Sequence, residues 1–438
     1  MTGALAHYLG TDRKGVRIFL TISLSACVYW FLSIKTVVYE PFRQALGVTN
    51  TQLGVLLGIT GFVQVFGYVA LGWLQDSLRI RKVIAVDLVA YALLALTLAV
   101  LPDLPFWWLC CVFAGFGLFG EALYWPTIQK ATRGLSGPAH QAALFSTQEA
   151  LRGAMGLAAN FVTLTLFLAG GSRIIGVRAA MACYPLIMIV LAIIVLRNVP
   201  ADFLRTSGGD AQRPTAGEGL RSVAAAVRSP IVWTTGMAAM ACYVVYIAAT
   251  TYALPLFQDT YGMPSQLVAV LGMVNTGVFP VVSALASGLV ARRFPTSPCW
   301  MAVLFVIATF LGVVIMVMPA GGSPVPVIVV TALLALSCYG IRAVYFVPIG
   351  EYGTDPRHSA TVMSVASFLG YLPSFFAYPL FGAIIDASGG GIAAQRTVFA
   401  LVVASCAAGA VFSLASHRLI VRRRRDTGWP APIAVDVS

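Results

Sequence analysis

The chain has 438 residues, of which 59% are hydrophobic and only 10% are charged. A soluble domain carries about a quarter charged residues and keeps a polar or mixed surface, so this composition excludes an ordinary water-soluble protein and calls for a bilayer as solvent. The formal net charge of +12 does not indicate a nucleic-acid partner, because the basic residues lie in short stretches between apolar runs, where they set membrane topology.

The apolar runs are long, continuous and rich in Ala, Leu, Val and Gly. That is the pattern of membrane-crossing helices of about 20 residues, not of the short alternating strands of a barrel. Twelve spans are predicted, at 16–40, 51–74, 83–101, 106–130, 140–168 and 177–196, then at 230–258, 266–290, 298–319, 324–350, 359–385 and 395–417. The expected class is an all-α membrane protein in two six-helix halves. Residues 1–196 form the first half and 230–417 the second, with a polar linker at 197–229 and a basic tail at 418–438. The first apolar run begins after Arg17 and is too long for a signal-peptide core.

Lys and Arg orient the chain. With the N-terminus in the cytoplasm, 21 of the 28 basic residues fall on inner segments and four (Arg43, Arg173, Arg178, Arg396) on outer ones. The expectation is a multi-pass protein of the plasma (inner) membrane with both termini cytoplasmic.

The loop after the second span reads Gly72-Trp-Leu-Gln-Asp76-Ser-Leu-Arg-Ile-Arg81-Lys82. Glycine lets helices approach closely, the aspartate can cap or pair with a neighbouring helix end, and the basic pair holds the loop inside. With twelve spans in two halves, this resembles the loop signature of the major facilitator superfamily. The corresponding loop of the second half, Gly288-Leu-Val-Ala-Arg292-Arg293, keeps the glycine and the basic pair. Gly72, Asp76, Arg81 and Lys82 are therefore expected to serve topology and gating. The resemblance implies a substrate site near the bilayer midplane, lined by spans 1, 4, 7 and 10, and transport by alternating access.

Within that superfamily the chain looks most like the organophosphate/organic-anion, sugar-phosphate-permease-like branch. The stretches that carry this likeness are Tyr29–Gly54, Phe119–Pro126, Ser364–Tyr371 through Asp386, and Arg342-Ala-Val-Tyr345-Phe346 followed by Glu351. In phosphate-ester antiporters of the branch, one arginine on span 1 and one on span 7 clamp the phosphate. Counted from Pro41 and Pro255, those positions here are Ser33 and Ile247. An arginine fork is the natural partner of a phosphate dianion, so phosphate-ester exchange is not expected. The span 4 motif tied to proton coupling in many facilitators begins with Arg, where this chain has Cys111 before Gly115 and Gly117. Span 5 lacks the Gly-Pro signature of drug/proton antiporters.

A charge at mid-bilayer costs about 2.5–3.5 kcal/mol or more and requires an explanation. Five stand out: Lys35, Glu121, Glu149, Arg152 and Arg342. Lys35, Glu121 and Arg342 fall on spans that the resemblance places around the substrate. Lys35 is two residues past the missing arginine, about 200° round the helix, and either meets substrate or faces outward near Glu40. Arg342, with Tyr345 one turn on, is the candidate anion-binding residue; the structural alternative is a salt bridge to Glu121 or Glu351. Glu121 either carries a proton for coupling or pairs with a cation. Glu149 is a second proton candidate, and its i, i+3 spacing to Arg152 favours an internal ion pair. On span 7, Tyr243, Tyr246 and Thr250 share a face suited to a polyol or sugar-like solute. Tyr371, Ser374 and Tyr378 repeat the pattern on span 11, where Pro373 and Pro379 are candidate hinges. Tyrosines and threonines also join membrane helices without binding anything.

No enzyme signature, phosphate-binding loop or metal-ligand spacing occurs, so neither catalysis nor a cofactor is expected. The cysteines within apolar runs (Cys27, Cys183, Cys242, Cys338, Cys406) read as free thiols. The expected function is secondary transport of a small organic anion, a sugar-derived carboxylate or sulfonate, with proton symport resting on Glu121 and Glu149. The expected partners are a small-molecule substrate, bilayer lipid and protons, and the expected state is a monomer. A carrier of a neutral or cationic solute is the main alternative. A non-transporting sensor of the same fold ranks below it, because such proteins usually append a soluble domain.

Overall fold

Inside a bilayer no water satisfies the backbone, so an apolar run must close every N–H onto its own helix. The computed structural model describes residues 2–77, 79–136, 140–170, 173–203, 224, 226–291, 293–353 and 356–427, and among them no strand occurs. Eleven helical runs of the described residues are long and apolar enough to cross a membrane. A twelfth comes from Asn50–Gly67 taken with the short helix Tyr39–Leu46, the two being bent by 92°. Gly47, at φ 66°, makes that corner by closing Tyr39–Leu46 in the left-handed conformation.

In chain order span 1 is Arg13–Val37, span 2 Asn50–Ser77, span 3 Ile80–Val100 and span 4 Phe106–Thr132. Span 5 is Gln141–Ala169 and span 6 Arg173–Asn198. Span 7 is Pro230–Tyr261, span 8 Ser265–Ala291, span 9 Ser297–Val317 and span 10 Val325–Glu351. Span 11 combines Pro356–Tyr371 with Pro373–Ser388. Span 12 is Gly391–Thr427.

The chain forms two compact units. The first holds residues 1–211 with 265–273, and the second holds 212–264 with 274–438. Within the first, span 3 packs on span 6, span 2 on span 4, and span 1 on spans 5 and 6. The second repeats this pairing six spans later: 9 on 12, 8 on 10, and 7 on 11 and 12. Such repetition is the mark of an internal structural repeat.

Small residues and single hydrogen bonds hold these contacts, as expected where lipid supplies no hydrophobic drive between helices. Ser287 Oγ donates to the Gly340 carbonyl at 2.8 Å and receives the Trp300 indole N–H at 2.8 Å, joining spans 8, 9 and 10. A Cβ on Gly236 would lie 2.9 Å from Leu369, so glycine lets span 7 seat against span 11. The outward faces are apolar: on span 3, Val86, Val89, Leu93 and Val100 are exposed while Leu88, Tyr91 and Ala92 are buried. A lipid environment accounts for that inversion.

Most of the expected linker (204–223 and 225) and residues 428–438 lie outside the described residues. The basic stretch Arg418–Arg425, expected as a tail, continues the last helix to Thr427. No Gly or Pro interrupts residues 418–427, and arginine is a good helix former.

Candidate functional site

Spans 1, 4, 7 and 10 each depart from α-helical geometry, as spans 8 and 11 do at Val278 and Leu372, and several candidate residues stand at or near these breaks. Span 1 tightens into a 3-10 segment at Ser25–Tyr29. Span 4 widens into a π-helical turn at Gly117–Ala122, and span 7 does so at Ala248–Tyr252. Span 10 breaks at Tyr345–Phe346, where its main helix ends at Val344 and a short one starts at Val347. Pro348 has no N–H to continue the ladder, which explains that break. Single π-helical turns inside α-helices are frequent at functional sites.

In the first unit the π turn presents Glu121. A Cβ on Gly117 would lie 2.7 Å from the Thr60 carbonyl, and one on Gly120 would lie 2.8 Å from the Tyr91 ring. These two glycines therefore let spans 2 and 3 close around the turn. Gln64 of span 2 donates to Glu121 Oε2 at 3.2 Å. Lys35 interacts electrostatically with Glu121, and its Nζ donates to the Leu32 carbonyl at 3.1 Å. Glu40, the alternative neighbour considered for Lys35, is bound to Arg43 and Gln44. Beside the turn, Tyr29 meets Tyr124 and Trp125 edge-on, with centroids 5.9 and 6.3 Å apart.

In the second unit Arg342 sits among tyrosines. Its guanidinium carbon is 4.0 Å from the centre of the Tyr246 ring and 5.8 Å from that of Tyr243. The phenol groups of Tyr246, Tyr345, Tyr243 and Tyr371 all lie within electrostatic range of it. Tyr345 and Tyr371 share a hydroxyl–hydroxyl hydrogen bond of 2.9 Å. Tyr243 packs on Tyr246 at 5.4 Å and edge-on to Tyr371 at 5.2 Å, and Tyr339 closes on Tyr246 at 5.9 Å. Spans 7, 10 and 11 thus supply one aromatic cage. Among the described residues of its own unit, no carboxylate lies within ion-pair distance of Arg342 and no acceptor takes its N–H groups. Arg342 as a residue is half-buried, and a guanidinium carries its directional N–H groups along its edge.

Glu351 does not pair with Arg342. Both carboxylate oxygens accept the Ser297 N–H, at 3.0 and 3.1 Å, and cap span 9. An acidic group is favoured at a helix N-terminus, where N–H groups lack partners. The Thr250 hydroxyl donates to the Tyr246 carbonyl at 2.7 Å, so it serves its own helix. Cys242 and Cys338 bring their sulfurs to 3.8 Å between spans 7 and 10, and both are free thiols.

The remaining candidates are scattered. Arg152 is exposed and lies 5.6 Å from the Trp125 ring centre. The side chains of Glu149, Gly72 and Asp76 lie outside the described residues, although all three positions are helical. Arg81 and Lys82 stand in the first turn of span 3, the first half-buried and the second exposed. Sequence reasoning missed Gln64, Tyr339 and Asp87. Asp87 is 1% exposed. It stands only four residues beyond the predicted start of span 3, where an acid near a span's end does not mark itself. A Val-Asp-Leu triplet inside a hydrophobic run was the available signal.

The comparisons agree with this architecture. Residues 18–378 match the family model described as Major Facilitator Superfamily. The inner membrane protein YihN of Escherichia coli (strain K12) is 26% identical over 425 residues, covering 95% of this chain and 98% of that protein. The inner membrane protein YqcE of the same strain is 23% identical over 372 residues, covering 82% of this chain and 85% of that protein. Among solved structures, a bacterial homolog of the human lysosomal transporter Spinster, inward-facing and unoccupied, aligns with a TM-score of 0.74 at 15% identity, over 96% of this chain and 99% of that one. A D-xylose-proton symporter aligns with a TM-score of 0.69 at 13% identity, over 92% and 97%. Family match, membrane-spanning architecture and fold together show that this chain belongs to the Major Facilitator Superfamily and is a membrane transporter of small molecules, not an enzyme.

Proposed function

We propose that this transporter carries a small organic anion, a sugar-derived carboxylate or sulfonate, by alternating access with proton symport. The observation that carries the reading is Arg342, stacked 4.0 Å from the Tyr246 ring with no carboxylate beside it among the described residues of its own unit. A stacked guanidinium offers its in-plane N–H fork, which matches a carboxylate or sulfonate edge. One such cation suits a monoanion. The two-arginine clamp of phosphate-ester antiporters has no counterpart at Ser33 and Ile247. The surrounding phenols of Tyr243, Tyr246, Tyr345 and Tyr371 suit the hydroxyls of a sugar-like body. The coupling proton is assigned to Glu121, with Glu149 as a second acid, and the likeness to the organic-anion branch is read in the same sense. Lys35 is assigned as the cation that accompanies Glu121, a reading supported by the electrostatic contribution of Glu121 at Lys35. The protein works as a monomer in the inner membrane, with both termini cytoplasmic.

The test is a thermal-shift screen of the purified protein against sugar acids, sulfonates, phosphate esters and neutral sugars, repeated with Arg342→Gln. A ligand that binds the folded state stabilises it by mass action. The reading requires one monoanion class to stabilise the wild type and the variant to lose that response. Stabilisation by neutral sugars alone, or an unchanged response in the variant, would make Arg342 structural and the substrate a neutral solute.

A further inference from the structure

We propose that Asp87, an acid to which no role has been given above, binds and releases a proton inside the first unit. The proposal deepens the proton-symport reading and rests on it for its part in transport. Asp87 lies two turns into span 3, is 1% exposed, and has an Oδ2 that is sealed from solvent and has no hydrogen-bond partner among the described residues. It makes no ion pair among them. It does not cap the helix either, since Arg79 holds that position. An ionised, unpartnered carboxylate at such a place costs several kcal/mol. Leu or Asn would fill the same volume without that cost, so packing does not explain the acid. A group that alternates between neutral and charged forms does.

The surroundings supply what alternation needs. From span 4, Tyr124 is fully buried and within electrostatic reach of Asp87. Its hydroxyl shares a 2.7 Å hydrogen bond with Ser25 Oγ of span 1. Hydroxyl rotors can turn toward a carboxylate and away from a neutral acid. Ser25 opens the 3-10 segment of span 1, and Tyr124 follows the π turn that carries Glu121. The protonation state of Asp87 thus bears on the joint between two irregular segments. Cys27 of span 1 also acts on Tyr124. Tyr91, one turn beyond Asp87, stacks on Phe116 at 4.3 Å and lies in the field of Glu121. On span 6, which packs on span 3, the Tyr184 hydroxyl is bonded to Thr163 and the Ala159 carbonyl, with Cys183 beside it. Arg178 reaches the Ala45 carbonyl, and Arg197 is exposed. None of these neutralises Asp87. The proton comes from water and returns to it, breaking and re-forming one carboxyl O–H bond, so no other reactant is needed.

The test reads the proton directly and needs no substrate. Infrared difference spectra of the full chain in lipid nanodiscs are recorded as the bath is taken from about pH 5 to about pH 9. The expected result is the pH-dependent loss of a protonated-carboxyl C=O band that is absent in Asp87→Asn and displaced in Asp87→Glu. Identical wild-type and Asp87→Asn spectra, or an Asp87 band that never changes with pH, would overturn the proposal. If Asp87→Asn does not fold, Asp87→Glu decides alone: a displaced titrating band supports the site and an unmoved one rejects it. If Asp87 titrates while a pH gradient fails to drive uptake, the coupling reading fails and the proton site stands; the opposite pattern places coupling on Glu121 or Glu149.

Discussion

Arg342 and Tyr246 are stacked, the guanidinium carbon lying 4.0 Å from the ring centre. The two residues come from different helices, spans 10 and 7, so the contact fixes the plane of the cation relative to both. Stacking covers one face and leaves the edge, where the directional N–H groups are. A pre-oriented fork loses less freedom on binding an anion than a flexible lysine would.

The ring rather than the phenol hydroxyl should matter at position 246. A cation–π contact contributes about 0.5–2 kcal/mol depending on solvation. Tyr246→Leu is expected to weaken anion binding by a factor of roughly 2 to 30, and Tyr246→Phe to leave most of it. Calorimetric titration with the anion that most stabilises the wild type checks this; equal losses in both variants would shift the role to the hydroxyl.

Tyr345 and Tyr371 are joined by their hydroxyls at 2.9 Å. A neutral hydrogen bond contributes about 0.5–1.5 kcal/mol. Phenylalanine at either position should lower the unfolding free energy by that order, and the double variant should fall short of the sum. A double-mutant cycle from denaturation curves measures the coupling. Additive losses would mean that the two hydroxyls act independently.

Glu351 caps Ser297 with both oxygens. Glu351→Ala is expected to destabilise the protein by about 0.5–2 kcal/mol, the usual range for a lost cap, while the thermal response to anions at Arg342 persists. A variant of normal stability with an altered anion response would instead favour the ion pair with Arg342.

The π turn of span 4 depends on close approach. A methyl group at Gly117 would meet the Thr60 backbone carbonyl at 2.7 Å, whereas at Gly153 nothing lies within 4 Å. Gly117→Ala should cost about 1–3 kcal/mol as an overpacked contact, and Gly153→Ala should be neutral or slightly stabilising because alanine favours helix. Thermal unfolding of both in one detergent tests the contrast; equal midpoints would show that span 4 can shift without penalty.

The twelve apolar runs were legible because lipid imposes a single demand on every span: length and hydrophobicity. Arg342, Tyr243, Tyr246, Tyr345 and Tyr371 were legible for a related reason. A cation in an apolar run is costly enough to mark itself, and aromatic residues at helical spacing share a face. What sequence could not give was contact between distant segments. By sequence Glu351 could pair with Arg342, whereas in the fold span 9 starts at its carboxylate. Tyr339 carries no charge, and only the fold turns it toward Tyr246. The depth of Asp87 depends on where span 3 starts, and Ile80 begins the helix three residues earlier than expected. The corner at Gly47 and the π turns arise from packing, which periodicity along the chain does not register.

The central claim is that Arg342 holds a transported organic anion. Counterflow in proteoliposomes tests it most directly: vesicles are loaded with the anion that most stabilises the protein, and uptake of its radiolabelled form is followed for wild type, Arg342→Lys and Arg342→Gln. The account predicts robust wild-type counterflow, reduced uptake with lysine, which keeps the charge but not the fork, and none above empty vesicles with glutamine. Wild-type rates in a folded Arg342→Gln protein would contradict it.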